Sequence, residues 1–132
     1  MRHAVLRPGK PIETCVFEGD DLSTTFHLGI YFNDTLVGVC SFFKNNHPEK
    51  SDAKQYQLRG MAVLSDYQGK QLGKQLLNYG EAILKSKKTT MVWCNAREVA
   101  LTFYKKSGYH IFGEPFDIPT IGKHYSMSKQ LQ

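Results

Sequence analysis

The sequence has few cysteines and lacks the spacings that would make them a framework. Cys15, Cys40 and Cys94 are widely separated and form no C-x-x-C pair. That excludes the usual zinc patterns and a disulfide-stapled secreted fold, and it predicts a reduced, cytoplasmic protein with no metal. No segment approaches the roughly 20 apolar residues of a membrane span, and the N-terminal residues hold no apolar run of signal-peptide length. Internal repeats and low-complexity tracts are missing too. So are both common phosphate-binding signatures: no Gly-Lys-Ser/Thr completes a Walker pattern, and no dinucleotide fingerprint occurs.

What is present suits a folded chain. The 132 residues, 41% hydrophobic with eight Phe and seven Tyr, predict a single domain over 1–132 with one core. The net charge is +5, and it is unevenly spread. Residues 1–53 hold five Lys/Arg against seven Asp/Glu, whereas residues 67–110 hold eight Lys/Arg against only Glu81 and Glu98. A positive excess in one segment fits a compact polyanion better than a nucleic acid, which is usually tracked by a basic face with interleaved aromatics. Lys85, Lys87 and Lys88 also have a plainer account, since cations are favoured at a helix C-terminus.

The hydrophobic pattern predicts the order β-(short helix)-β-β-β-α-β-α-β-β. A first strand is expected over residues 3–6, followed by a poorly periodic segment over 11–21. Residues 24–32 and 36–43 form a hairpin through Asn33-Asp34-Thr35. A polar loop at 45–54, containing His47, leads into a strand at 57–64. The long helix after it carries Leu72, Leu76, Leu77, Ile83 and Leu84 at helical spacing. A buried strand follows at 89–94. Asn95 is then read as the N-cap of a helix over 96–107 that Gly108 closes. Residues 109–112 form a strand, 113–122 a loop with two prolines, and 124–129 the last strand. Such an order implies a mixed, mostly antiparallel sheet with helices on both faces.

The stretch from Tyr56 to Leu84 organises the rest. A strand feeds the turn Ser65-Asp66-Tyr67 and then Gln68-Gly69-Lys70-Gln71-Leu72-Gly73-Lys74 at a helix start. Free N–H groups and the positive end of the helix dipole make this a ready diphosphate site. Gly69 and Gly73 permit close backbone approach, and Lys70 and Lys74 add charge. A glycine-punctuated helix start that binds nothing is the alternative.

Gln68 to Gly73 resembles motif A of the GNAT superfamily of N-acetyltransferases, Gln/Arg-x-x-Gly-x-Gly/Ala, with one family glycine replaced by Gln71. Asn95-Ala96-Arg97-Glu98-Val99-Ala100-Leu101-Thr102-Phe103-Tyr104 through Gly108-Tyr109 resembles motif B, with Asn95 and Ala100 more widely spaced than in some members. The resemblance implies an α/β GNAT fold splayed between its fourth and fifth strands, here 57–64 and 89–94. It further implies that acetyl-CoA lies in that wedge. Main-chain groups of Met61 and Val63 would hydrogen-bond the pantetheine amides as an added strand would, Gln68, Gly69, Lys70, Gln71, Leu72, Gly73 and Lys74 would hold the diphosphate, and Ala62, Asn95, Ala100 and Phe103 would be further cofactor-side contacts.

In the family the tyrosine matching Tyr104 lies near the coenzyme sulfur. Acetyl transfer from a thioester to an amine passes through a tetrahedral intermediate from which thiolate leaves, and a phenol can protonate that sulfur. A core aromatic is the plainer role for Tyr104. Members often carry a glutamate base on the strand before motif A. The nearest position here is Arg59, which is no base; it is read either as a ligand for an acidic group of the acceptor or as a solvated strand residue. Glu114, Asp117 and His124 remain as base candidates. Gly122-Lys123-His124-Tyr125-Ser126-Met127 resembles a C-terminal Gly-x-His-x-x-Met segment of some small bacterial members, and a histidine there could titrate near neutrality.

The function expected is transfer of acetyl from acetyl-CoA to the primary amine of a small molecule, without metal, nucleic acid or membrane. A homodimer is the assembly to test. Parts of both motifs also look like the glucosamine-phosphate N-acetyltransferases. The competing readings are a non-catalytic acyl-CoA sensor, a protein lysine or N-terminal acetyltransferase, and a nucleic-acid binder.

Overall fold

The computed structural model describes residues 24–32, 34–50, 54–69 and 71–131. The expected strand at 3–6, the segment at 11–21, Cys15 and Lys70 lie outside them. The described residues form a six-stranded mixed sheet in the order β1-β2-β3-β4-β6-β5. The strands are β1 (Phe26–Phe32), β2 (Thr35–Lys44), β3 (Gln55–Val63), β4 (Met91–Arg97), β5 (His110–Ile118) and β6 (Gly122–Gln130). Helix α1 (Leu72–Ser86) joins β3 to β4, and the short α2 (Leu101–Lys106) joins β4 to β5.

The β1–β2 hairpin is as tight as its sequence implies. Phe32 pairs with Thr35, and Asp34 takes the left-handed φ of +67° that short hairpin turns require. The β2–β3 ladder contains a bulge: Val39 pairs with Ala62 but Ser41 with Arg59, so Gly60 and Met61 oppose one residue. Gly60 sits at φ +67°, which a glycine reaches without strain.

Among the described strands the single parallel pair is β3 with β4, and it is short. It runs only from Gln55↔Met91 to Leu58↔Cys94. Beyond that point β3 stays with β2 up to Val63↔Gly38, while β4 follows β6 to Arg97↔His124. The sheet therefore parts between Leu58 and Cys94, giving the splay expected of the fold.

Helix α1 covers β1, β2 and β3 through Leu72, Leu76, Leu77, Gly80 and Leu84. Leu77 and Leu84 are fully buried, each contributing about 1.5–3 kcal/mol relative to exposure. Tyr104 of α2 joins the same apolar cluster as Cys40, Phe42, Leu58, Val92 and Cys94. Both described helices thus lie on one face of the sheet. The opposite face is polar for a buried surface: Ser41, Gln55, Gln57, His124, Ser126 and Ser128 are all buried there.

Two expectations about the second half need correction. Asn95 is not a helix cap. It lies inside β4, because the ladder with β6 continues through Asn95↔Ser126 to Arg97↔His124, and Glu98–Ala100 then form a 3-10 turn before α2. Sheet pairing outweighs the local capping preference of asparagine. Residues 113–118 are not loop either; they belong to β5. Register shifts between Phe112 and Phe116, so the bulge around Gly113, at φ +70°, takes up Pro115 on β5, an edge strand of the described sheet, where a missing N–H costs least.

Gly108 does close the preceding helix. At φ +95° it donates to Lys105 O at 3.1 Å while Tyr109 N–H reaches Tyr104 O at 3.0 Å, a Schellman closure.

Candidate functional site

The turn from β3 into α1 is built by its own side chains. Gln68 Nε2 donates to Val63 O at 2.8 Å, folding the glutamine back along the strand end. Gly69 sits at φ +80°, and a Cβ there would meet nothing within 4 Å. Its glycine is required by conformation, and the space above it is open. Gln71, the position where the family pattern has glycine, takes φ +63° as the N-cap. The replacement is therefore not free: a glutamine occupies a left-handed conformation that glycine adopts readily.

The first bonded amide of the helix is Gln75 N, to Gln71 O at 3.1 Å. Among the described residues the N–H groups of Leu72, Gly73 and Lys74 have no backbone acceptor, and they carry the positive end of a 15-residue helix dipole. Gly73 lets α2 approach closely, since a Cβ there would lie 3.1 Å from the Phe103 ring.

From this turn a cavity of about 940 Å³ passes into the parting of β3 and β4. Of the described residues singled out from the sequence, Arg59, Met61, Ala62, Val63, Gln68, Gly69, Gln71, Leu72, Gly73, Lys74, Asn95, Ala100, Phe103, Tyr104 and His124 line it. Glu114, Asp117 and His47 do not. His47 instead packs edge-on against Trp93 and Phe112, with centroids 4.6 and 4.7 Å away.

Sequence reasoning missed Gln57, Cys94, Arg97, Val99 and the hairpin residues Ile118 and Ile121, which also line the cavity. For Gln57 and Arg97 the signal existed. Strand alternation puts Gln57 on the face of Arg59, and Arg97 on the face of Asn95. Ile118 and Ile121 were hidden by the reading of their segment as loop.

Tyr104 is buried, its ring between Phe103 and Tyr109 at centroid distances of 5.0 and 5.5 Å. Burial, with the nearby Cys94 and Cys40 thiols adding to it, holds its phenol well above the ordinary value of 10.0. It therefore stays protonated across the neutral range. Its hydroxyl makes no hydrogen bond to a described residue, while Tyr104 and Cys94 both face the cavity. Burial pushes the Cys94 thiol up as well, which makes it a poor nucleophile.

His124 is buried on the opposite face of the sheet. Its Nδ1 lies 2.8 Å from Gly122 O. A carbonyl only accepts, so Nδ1 carries the proton, and a neutral ring leaves Nε2 with its lone pair. The ring stacks on Phe116 at 5.8 Å. Nearby, Ser126 Oγ donates to Asn95 Oδ1 at 2.9 Å. Arg59 lies over the Phe43 ring at 5.7 Å.

Among the described residues no group of His, Cys, Asp and Glu could hold a metal ion, and no helix is long and apolar enough to cross a membrane.

A strand, an amide-rich turn, a helix and a parted parallel pair define a class of protein, and the comparisons agree. The acetyltransferase (GNAT) family model matches residues 5–109. A Bacillus subtilis (strain 168) protein named as the uncharacterized N-acetyltransferase YitI is 40% identical over 132 residues, covering 100% of this chain and 89% of that one. The chain belongs to the GNAT family of acetyltransferases. Among solved structures, Escherichia coli ElaA superposes with a TM-score of 0.77 at 18% identity, over 97% of this chain and 84% of that one. An aminoglycoside 6'-N-acetyltransferase complexed with coenzyme A gives a TM-score of 0.68 at 18% identity, over 84% and 75%.

Proposed function

We propose that this chain transfers the acetyl group of acetyl-CoA to a primary amine of a small molecule. The observation that carries the reading is the continuity of one cavity, from the first amides of α1, which have no backbone acceptor among the described residues, to Tyr104 and His124. The site fits the coenzyme. Leu72, Gly73 and Lys74 offer backbone donors, Gly69 leaves room above them, and Lys74 balances negative charge. Lys70, outside the described residues, is proposed to share that role.

The bulged strand end at Met61, Ala62 and Val63 is proposed to run beside the pantetheine as an added strand would, with Asn95, Ala100 and Phe103 on the other wall. Val63 O already accepts from Gln68 and Ala62 pairs with Val39 of β2, so Met61 and the Val63 N–H supply the main-chain contacts. Bound acetyl-CoA supplies an activated thioester. His124 Nε2 takes a proton from the attacking amine, directly or through water. Tyr104 gives its proton to the departing sulfur, and its raised affinity for that proton keeps it in the donating form. The C–N bond of the amide forms as the C–S bond breaks.

The test is release of free thiol from acetyl-CoA over a panel of amines, with Tyr104→Phe beside the native protein. Amine-dependent release that falls sharply in the variant is expected. Tight coenzyme binding with no release for any amine would favour the sensor instead.

A further inference from the structure

Resting on that acetyl-transfer reading, we infer that the acceptor amine also carries an anionic group, a carboxylate or a phosphate, and that Arg59 and Arg97 receive it. The parting of the sheet places these two side chains. Pairing of β3 with β4 stops at Leu58 and Cys94. Leu58, Cys94 and Ala96 turn to the apolar cluster beneath the helices, so Arg59, Asn95 and Arg97 alternate onto the opposite face. That is the face of His124, the cross-strand partner of Arg97. Both arginines are partly exposed, and both line the cavity.

Lys74 and Lys106 line the same cavity from the helical side, where a diphosphate accounts for positive charge. The two arginines lie across the sheet from the amide-rich turn, away from the proposed diphosphate. Among the described residues no Asp or Glu lines the cavity.

An amine with a second ammonium group would therefore meet like charge at the acceptor side. An anion would meet planar guanidinium groups suited to two-pronged recognition. Each guanidinium has five donors, so bonds within the protein leave others for a ligand. Stacking over Phe43 further restricts Arg59. Gln57 and Asn95, polar but uncharged, line the cavity on the same face; Gln57 accepts from Asn45 at 3.0 Å and Asn95 from Ser126 at 2.9 Å. That lining suits a small, hydrophilic molecule.

The experiment measures thiol release from acetyl-CoA with three sets of primary amines. The anionic set contains amino acids and, separately, amino-sugar phosphates. The neutral set contains the unphosphorylated amino sugars, and the cationic set contains polyamines and aminoglycosides. The best anionic amine is expected to exceed every cationic one by about tenfold or more in kcat/KM, the scale of a charge-assisted bond. The amino acid and phosphate arms show which anion is used.

Arg59→Gln and Arg97→Gln are each expected to erase most of that preference through KM for the amine, with calorimetry on coenzyme A reporting that the variant is folded. Preference for cationic or neutral amines in the native protein overturns the inference while leaving acetyl transfer standing. Anionic preference that survives both substitutions overturns it as well. Thiol release with no amine at all removes the transfer reading and this inference together.

Discussion

Glu81 and Lys129 form an ion pair of 2.7 Å across the helical face of the sheet, joining the middle of α1 to β6. The same carboxylate accepts the Tyr109 hydroxyl at 3.0 Å, and Lys129 also donates to Ser107 O at 2.9 Å. Tyr109 in turn packs on Tyr104. The pair thus connects α1, the C-terminus of α2 and the last strand around the proposed acid. Glu81 is the more deeply buried partner, with 6% of its side chain exposed against 27% for Lys129.

That asymmetry sets the first prediction. Lys129→Met leaves a buried carboxylate supported, among the described residues, by a phenol alone and should cost about 3–5 kcal/mol. Glu81→Gln keeps the shape and leaves a cation that can reach water, so it should cost about 1–2 kcal/mol. Urea unfolding of both variants checks the order, and equal costs would contradict it.

Gly80 gives a contest between two effects. Alanine is the better helix former by about 1 kcal/mol. Here, however, its Cβ would lie 2.4 Å from two ring atoms of Phe42, which is fully buried. Overpacking of that kind costs about 1–3 kcal/mol and should win. Gly80→Ala is expected to lower stability despite its propensity, as read by thermal unfolding.

The opposite outcome is expected at Gln71. Its φ of +63° strains any residue with a Cβ, and Gln71→Gly relieves this. A gain of about 0.5–1 kcal/mol should remain after the greater freedom of glycine in the unfolded chain is counted. A loss of stability in urea unfolding would contradict the backbone assignment.

Alkaline pH should destabilise the fold. Burial pushes Cys40 from an ordinary 9.0 up to about 12 and raises Cys94 further. Tyr104 and Tyr109 are held well above 10.0. In each case the folded form keeps its proton while the unfolded chain releases it, so the stabilising difference is present below the unfolded value and is lost above it. Stability should be level through neutrality, fall once pH passes 9, and fall faster past 10, by up to about 1.4 kcal/mol per pH unit for each group. Urea midpoints between pH 7 and 11 provide the check.

Much of this was readable from residue order. The β1–β2 hairpin, α1 and the Gly108 closure follow from local chemistry: positive-φ residues, a 3.6-residue apolar period, and a glycine past a helix end. The described site residues converge on one cavity because the two motifs flank the same strand pair. What failed depends on non-local pairing. Asn95 has a capping side chain, but only the ladder to β6 decides that it stays extended. Pro115 reads as loop until β5 is known to be the outermost of the described strands. Arg97 as a wall of the cavity becomes visible only once the strand is extended to include it.

A structure determined with coenzyme A bound decides whether the start of α1 grips the diphosphate and Tyr104 faces the sulfur. Diphosphate oxygens are expected on the amides of Leu72, Gly73 and Lys74, and the sulfur within hydrogen-bonding reach of the Tyr104 hydroxyl. A diphosphate seated elsewhere, or a sulfur remote from Tyr104, would contradict that placement.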